Sequence, residues 1–279
     1  MLSCGIASTV RVNGLRLALA EWGHGDGLPL VLLHSLAAHR HWWDWTAPSW
    51  AGLRRVVALD FRGHGESAHA VPPAYGFDDY AADVVGVLET LGLAQVHLIG
   101  HSMGAYVGAS VAARAPARVA TLVIADMLTG WTPEQAALAA RQATRAPASF
   151  ASAAEAAARF RLQPPETTAS AEALGHLGAT GVRATAPGVW QLAFDRAVFL
   201  HPPVDPWPVL SEVTCPTLVI HGEKSAVMDR PAAERVAASL ARGVVATLPG
   251  AWHHLVLDAP EGFVKAVLSR GGRSRRRPS

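Results

Sequence analysis

Gly100-His101-Ser102-Met103-Gly104 sets a serine between two glycines. The apolar run 95–99 precedes it directly, and the small, largely apolar stretch 103–115 follows. A strand, a sharp turn and a helix in that order put a serine Oγ at the carboxyl edge of a sheet. The flanking glycines let the chain turn without Cβ clashes. The Met103 N–H then falls at a helix N-terminus, where free amides favour developing negative charge, so Met103 is a candidate oxyanion donor. The chemistry indicated is attack by a serine on a carbonyl, which needs a base for the serine proton. Thirteen histidines are available, and one histidine alone carries no such assignment.

The elements that must hold this serine follow from patterning. Residues 9–12 and 15–20 flank Asn13-Gly14, a dipeptide suited to the positive φ angles of a tight hairpin. Short apolar runs at 29–33, 55–59, 95–99, 119–125, 216–220 and 244–248 read as strands buried on both faces. Between them, 78–91 places Tyr80, Val84, Val87, Leu88 and Leu91 on one helical face. Alternation of this kind predicts an α/β fold with a mostly parallel sheet flanked by helices. It stops between about 129 and 208, where the chain is Ala-rich and broken by Pro164-Pro165, Pro187-Gly188 and Pro202-Pro203. The expected organisation is a core from 1–128 and 209–269, a helical insertion at 129–208, and a tail at 270–279.

Half of the 279 residues are hydrophobic and 16% are charged, which suits one large core rather than extended disorder. The net charge of +2 is misleading, because Arg270, Arg273, Arg275, Arg276 and Arg277 crowd the last ten residues. Without them the acidic residues are in the majority, so the body is mildly acidic and no nucleic-acid partner is expected; the tail reads first as a solvated end. No apolar run is long enough to span a bilayer and no basic-then-apolar leader opens the chain, so the expected location is cytoplasmic. Cys4 and Cys215 are too few for a disulfide framework or a Cys-rich zinc site. No metal-ligand or phosphate-loop pattern appears, and no cofactor is expected. Composition leaves the oligomeric state open.

With these motifs the chain resembles the α/β-hydrolase superfamily, up to the basic tail. Leu32-Leu33-His34-Ser35-Leu36 is similar to the family's His-Gly-x loop, with Ser35 where a glycine is usual. The resemblance implies that the Leu36 N–H is the second oxyanion donor. Leu59-Asp60-Phe61-Arg62-Gly63-His64-Gly65-Glu66-Ser67 matches a largely structural loop of the family. Gly250-Ala251-Trp252-His253, followed by Asp258-Ala259-Pro260-Glu261, resembles the catalytic-histidine segment and implies His253 as base, with His254 as its competitor. The family's acid usually follows the seventh strand. Here that segment reads His221-Gly222-Glu223-Lys224-Ser225, with serine at the acid position. Asp126 stands at the alternative position after the sixth strand, where the insertion would form a cap, and takes the role; Glu223 and Asp229 are the competitors.

The implied function is hydrolysis of a small, largely apolar ester, lactone or thioester through an acyl-enzyme. Ser35, His101, Trp131, Trp190 and Phe194 are candidate pocket residues. Trp190 and Phe194, four apart, would share a helix face, and Trp42, Trp43 and Trp45 are further aromatic candidates. Basic residues look sparse around the pocket, which disfavours a strongly anionic substrate. Three alternatives stay open: cofactor-independent dioxygenation of an N-heteroaromatic ring using His253 and Asp126, carbon–carbon bond hydrolysis, and a non-catalytic small-molecule receptor on the same fold.

Overall fold

The structure, a computed structural model, describes residues 4–200 and 204–271, so the basic tail expected from 270 falls almost wholly outside them. β1 (Ile6–Val12) and β2 (Leu15–Leu33) form the expected antiparallel hairpin, with Asn13 and Gly14 at φ 49° and 77°. The strands read at 15–20 and 29–33 are one continuous β2. After α1 (Pro48–Ala51), β3 (Arg54–Leu59) lies between its two halves. Leu19 to Trp22 run against β3, from Leu59 to Val56, whereas Leu30 to Leu33 run along it, from Val56 to Leu59. Gly23, between the two runs, has φ 69° and no room for a side chain: a Cβ there would lie 2.0 Å from the Ala51 carbonyl oxygen.

The remaining core alternates as predicted: α2 (Phe77–Thr90), β4 (Val96–His101), α3 (Met103–Arg114) and β5 (Val119–Ala125). β8 (Thr217–Gly222), α8 (Arg230–Ser239), β9 (Gly243–Leu248), α9 (Leu255–Asp258) and α10 (Pro260–Gly271) complete it. β2, β4, β5, β8 and β9 are parallel neighbours in that order. Alternate strand residues feed two cores. Val31, Leu33, Val57 and Leu59 pack with α2 and α3. Leu30, Leu32, Val56 and Ala58 pack on the other face with Trp43, Trp50 and Phe263. Trp42 and Trp43 are therefore core residues, 2% and 0% exposed.

Between β5 and β8, adjacent in the sheet, the chain makes α4 (Pro133–Thr144), α5 (Ala153–Ala157) and α6 (Ala171–Thr180). The hairpin β6 (Val182–Ala186) and β7 (Val189–Leu192) follows, then α7 (Trp207–Ser211). Thr132 begins α4 with a reciprocal cap: its hydroxyl accepts from the Gln135 N–H at 3.2 Å, and its own N–H donates to Gln135 Oε1 at 2.9 Å. Ser152 and Ser170 cap α5 and α6. The helical face expected for Trp190 and Phe194 is absent. Pro187-Gly188 is a hairpin turn with Gly188 at φ 72°, and Trp190 lies on β7, exchanging two 2.9 Å backbone bonds with Phe150. Among the described residues no helix is long and apolar enough to cross a membrane.

The loop after β3 is held by buried ions. Asp60 accepts from the Arg40 guanidinium, from the Arg40 N–H at 2.6 Å and from the Glu66 N–H at 2.8 Å. Arg62 meets Asp83 through two 2.6 Å bonds, with the carboxylate fully buried. Removing one partner of such a pair strands the other charge. Asp83→Ala is expected to lower unfolding stability by about 3–5 kcal/mol, read as a lower urea midpoint at unchanged slope.

Candidate active site

Four described residues other than glycine have positive φ. Asn13 belongs to the hairpin turn; the other three, Ala37 (56°), Ser102 (53°) and Asp126 (50°), converge at the carboxyl ends of β2, β4 and β5. Strain of this kind survives only where the surroundings impose it. At Ser102, with ψ −116°, the turn is closed by the Ser102 N–H donating to the Ala125 carbonyl at 2.9 Å. Both flanking glycines are sterically required. A Cβ on Gly100 would lie 2.1 Å from the Gly104 oxygen, and one on Gly104 would lie 2.3 Å from the Leu33 oxygen.

His253 lines one cavity with Ser102, and its Nδ1 donates to Asp126 Oδ1 at 2.7 Å, which leaves Nε2 as the lone-pair nitrogen. Both residues are buried. Asp126 Oδ1 also accepts from the Ser225 hydroxyl at 2.7 Å, and Oδ2 accepts from the Gly222 N–H at 2.9 Å. Ser225, standing where the superfamily usually has its acid, thus binds the carboxylate that meets His253. Burial pushes the Asp126 carboxyl up, to about 7, against the downward pull of those two bonds. Burial pushes His253 down, to about 3, so the imidazole is neutral. The two competitors have other work: Glu223 accepts from the Gly250 N–H at 2.7 Å, and Asp229 caps α8 by accepting from the Ala232 N–H at 2.8 Å. His254 turns away, its Nε2–H donating to the Pro164 carbonyl at 2.7 Å.

Ser102, His253, Leu36 and Met103 line one cavity of 230 Å³, together with Ser35 and Trp131. Among the described residues neither the Leu36 nor the Met103 N–H has a backbone acceptor, and the Ser102 hydroxyl makes no hydrogen bond. The Leu36 loop is fixed from behind by His34. The Phe61 N–H donates to its Nε2 at 3.1 Å, and its Nδ1–H donates to the Ser35 carbonyl at 2.7 Å. Such an arrangement is able to move a proton from a serine to a histidine and to stabilise an oxyanion beside them.

Two proposed pocket residues fall elsewhere. His101 is fully buried behind the site, stacked on Trp42 with ring centroids 5.4 Å apart, and its Nε2–H donates to the His253 carbonyl at 2.8 Å. Trp190 is held in the β6–β7 hairpin and lines neither this cavity nor the next. Phe194 lines the next one, of 520 Å³, which shares Leu36, Leu128 and Trp131 with the first. The expectation of sparse basic residues fails there: Arg145, Arg159, Arg161 and Arg196 all border this second cavity, with no acidic residue among its lining. They are scattered over fifty residues of sequence and meet only through the fold of the insertion.

The sequence profile of the family described as "alpha/beta hydrolase fold" matches residues 29–260. The chain is 43% identical over 111 residues to the dihydrolipoyllysine-residue acetyltransferase component of an acetoin cleaving system from Pseudomonas putida, covering 40% of this chain and 30% of that one. It is 34% identical over 108 residues to a fluoroacetate dehalogenase from a Burkholderia species, covering 37% and 36%. The match therefore spans less than half the length of either relative. A crystal structure of E-2-(acetamidomethylene)succinate hydrolase superposes with a TM-score of 0.80 at 25% identity, covering 95% of this chain and 98% of that one.

Proposed function

The chain belongs to the α/β-hydrolase fold family, and on that premise we propose that it hydrolyses a small ester, lactone or thioester through a Ser102 acyl-enzyme. The observation that carries this reading is the 2.7 Å bond from the buried Asp126 to His253, which itself lines one cavity with Ser102. His253 Nε2 takes the Ser102 proton, Ser102 Oγ attacks the carbonyl, and the Leu36 and Met103 amides hold the oxyanion. The proton passes to the leaving group, and a water activated by the same histidine releases the acyl group. The unpartnered Ser102 hydroxyl closes onto His253 when substrate displaces solvent. Residues 129–208 act as a cap, tied to the histidine loop through Asp258, which accepts from the Thr168 and Trp252 N–H groups at 2.8 Å each. The same His253–Asp126 pair would suit ring dioxygenation, but the strained serine in the shared cavity favours acyl transfer.

The substrate has two ends. Phe77, Met127 and Trp131 give the space beside Ser102 an apolar lining suited to a short acyl group. The four arginines of the adjoining cavity suit a carboxylate or another anion further along the molecule. The solved hydrolase similar to this chain is named for a succinate derivative, in keeping with that reading. The test compares the mono-p-nitrophenyl ester of glutarate with p-nitrophenyl butyrate. The anionic ester is expected to show kcat/KM higher by about 10-fold or more, the worth of one charged hydrogen bond. Arg196→Ala should remove most of that preference. Equal rates would reject the anionic end while leaving the hydrolase intact; no turnover of either ester would reject the hydrolase.

A further inference from the structure

Away from the catalytic cavity, three segments remote in sequence bring four potential metal ligands together around one carboxylate. Asp44 follows the 3₁₀ turn Arg40–Trp43 and is 1% exposed. Its Oδ2 lies 2.8 Å from His41 Nδ1, 2.7 Å from His176 Nε2 on α6, and 3.5 Å from Cys4 Sγ just ahead of β1. All four donor atoms fall within 4.8 Å of one another. The other oxygen, Oδ1, is buried and has no hydrogen-bond partner.

As a hydrogen-bonded cluster this is a poor arrangement. Three donors crowd one carboxylate oxygen while its buried twin receives none, although a buried acceptor left unsatisfied costs about 1–3 kcal/mol. As a ligand set it is coherent. One thiolate, two neutral imidazoles and one carboxylate balance the charge of a divalent cation. Bond lengths of about 2.0–2.3 Å to zinc put tetrahedral ligands roughly 3.3–3.8 Å apart; Cys4 Sγ already stands at 3.5 Å from Oδ2, and the two imidazoles, at 2.8 and 2.7 Å, would part from it by roughly half an ångström to admit the ion. Mixed sulfur, nitrogen and oxygen donors with four protein ligands suit a closed zinc site rather than calcium or magnesium.

We propose that Cys4, His41, Asp44 and His176 form a structural zinc site that fastens α6 of the insertion, and the segment just ahead of β1, to the core beside β2. Binding releases the Cys4 thiol proton and leaves both imidazoles neutral. The neighbouring His39 joins the same contact, its Nε2–H donating to the Leu177 carbonyl at 3.1 Å. The metal would therefore hold α6 where its last turn meets Gly181, at the border of the arginine-lined cavity. The site takes no part in the proposed chemistry at Ser102 and stands independently of it.

The test titrates full-length, chelator-treated protein with Co²⁺. One equivalent is expected to give the intense visible bands of tetrahedral cobalt and a thiolate-to-cobalt charge-transfer band in the near ultraviolet. Cys4→Ser should lose the charge-transfer band. His176→Ala should weaken binding by more than about 100-fold, since even groups that only orient a ligand cost 10- to 100-fold. Zn²⁺ should raise Tm of the wild type and not of His176→Ala. Both side chains lie at the rim of the cluster, so the variants are expected to fold, with circular dichroism as the check. The absence of a tetrahedral spectrum in the wild type would overturn the proposal. So would a spectrum unchanged in Cys4→Ser and His176→Ala, which would place the cobalt at another cluster such as His101, His253 and His254.

Discussion

Ser102→Ala is expected to reduce kcat for p-nitrophenyl ester hydrolysis by a factor on the order of 10³ to 10⁶, with KM changed little. The substitution removes one oxygen that makes no hydrogen bond among the described residues, so the fold loses almost nothing. The backbone at φ 53° is imposed by the Ala125 contact and by Gly100 and Gly104, none of which depends on the side chain. The Leu36 and Met103 amides remain, so residual catalysis above the uncatalysed rate should persist and resist further loss when His253 is also replaced. A group acting as one unit with another shows this non-additivity. The same variant separates the hydrolase from its rival. Oxygen uptake on an N-heteroaromatic substrate that survives Ser102→Ala but needs His253 would show that the serine is a bystander and the dyad is the active group.

How far the sequence carried depended on how local the cause was. Strands β3, β4, β5 and β8 were legible because burial on both faces demands unbroken apolar runs; β9, read the same way, is an edge strand left largely half-buried or exposed, and all five runs ended within about two residues of the observed bounds. The elbow was legible because its serine and both glycines fall within five residues, although the neighbour that requires Gly104 is the distant Leu33 carbonyl. What depends on distant partners was not. The runs 15–20 and 29–33 read as separate strands, whereas β2 is continuous through Gly23, which is fitted against Ala51. The spacing of Trp190 and Phe194 suits a helix, but the turn at Pro187-Gly188 and the bond to Phe150 make it a hairpin. The Cys4–His41–Asp44–His176 cluster has only one local pair, His41 and Asp44, and no ligand spacing to betray it. Ser225 was read as the loss of an acid, whereas its hydroxyl supports Asp126 from across the sheet edge. A signal existed there: a small hydroxyl residue where a carboxylate is usual can serve as partner to a carboxylate placed elsewhere.

Asp126→Asn is expected to lower kcat by about 10⁴-fold, while the double variant Glu223→Gln, Asp229→Asn stays within a few-fold of wild type. The argument lies in the tautomer. Asp126 Oδ1 accepts the His253 Nδ1 proton, which leaves Nε2 able to take the serine proton. An asparagine keeps Ser225 and Gly222 as neighbours, but an amide N–H turned toward His253 would need a lone pair on Nδ1. The proton would then sit on Nε2, and the base would be lost without unfolding the site. Glu223 and Asp229 have their carboxylates engaged with the Gly250 and Ala232 amides and cannot take over. The pH profile carries the same information. Below about 7 the buried Asp126 holds a proton and offers no negative charge to the imidazolium that forms during proton transfer; above it the carboxylate is ionised. Wild-type kcat/KM should therefore rise with pH through an apparent ionisation near 7 and then level. Ser225→Ala, which removes a bond favouring the ionised form, should move that rise to higher pH. In Asp126→Asn the rise near 7 should disappear from the residual activity. If it persists there and Ser225→Ala leaves it unmoved, the titrating group is not Asp126 and the assignment of the acid falls.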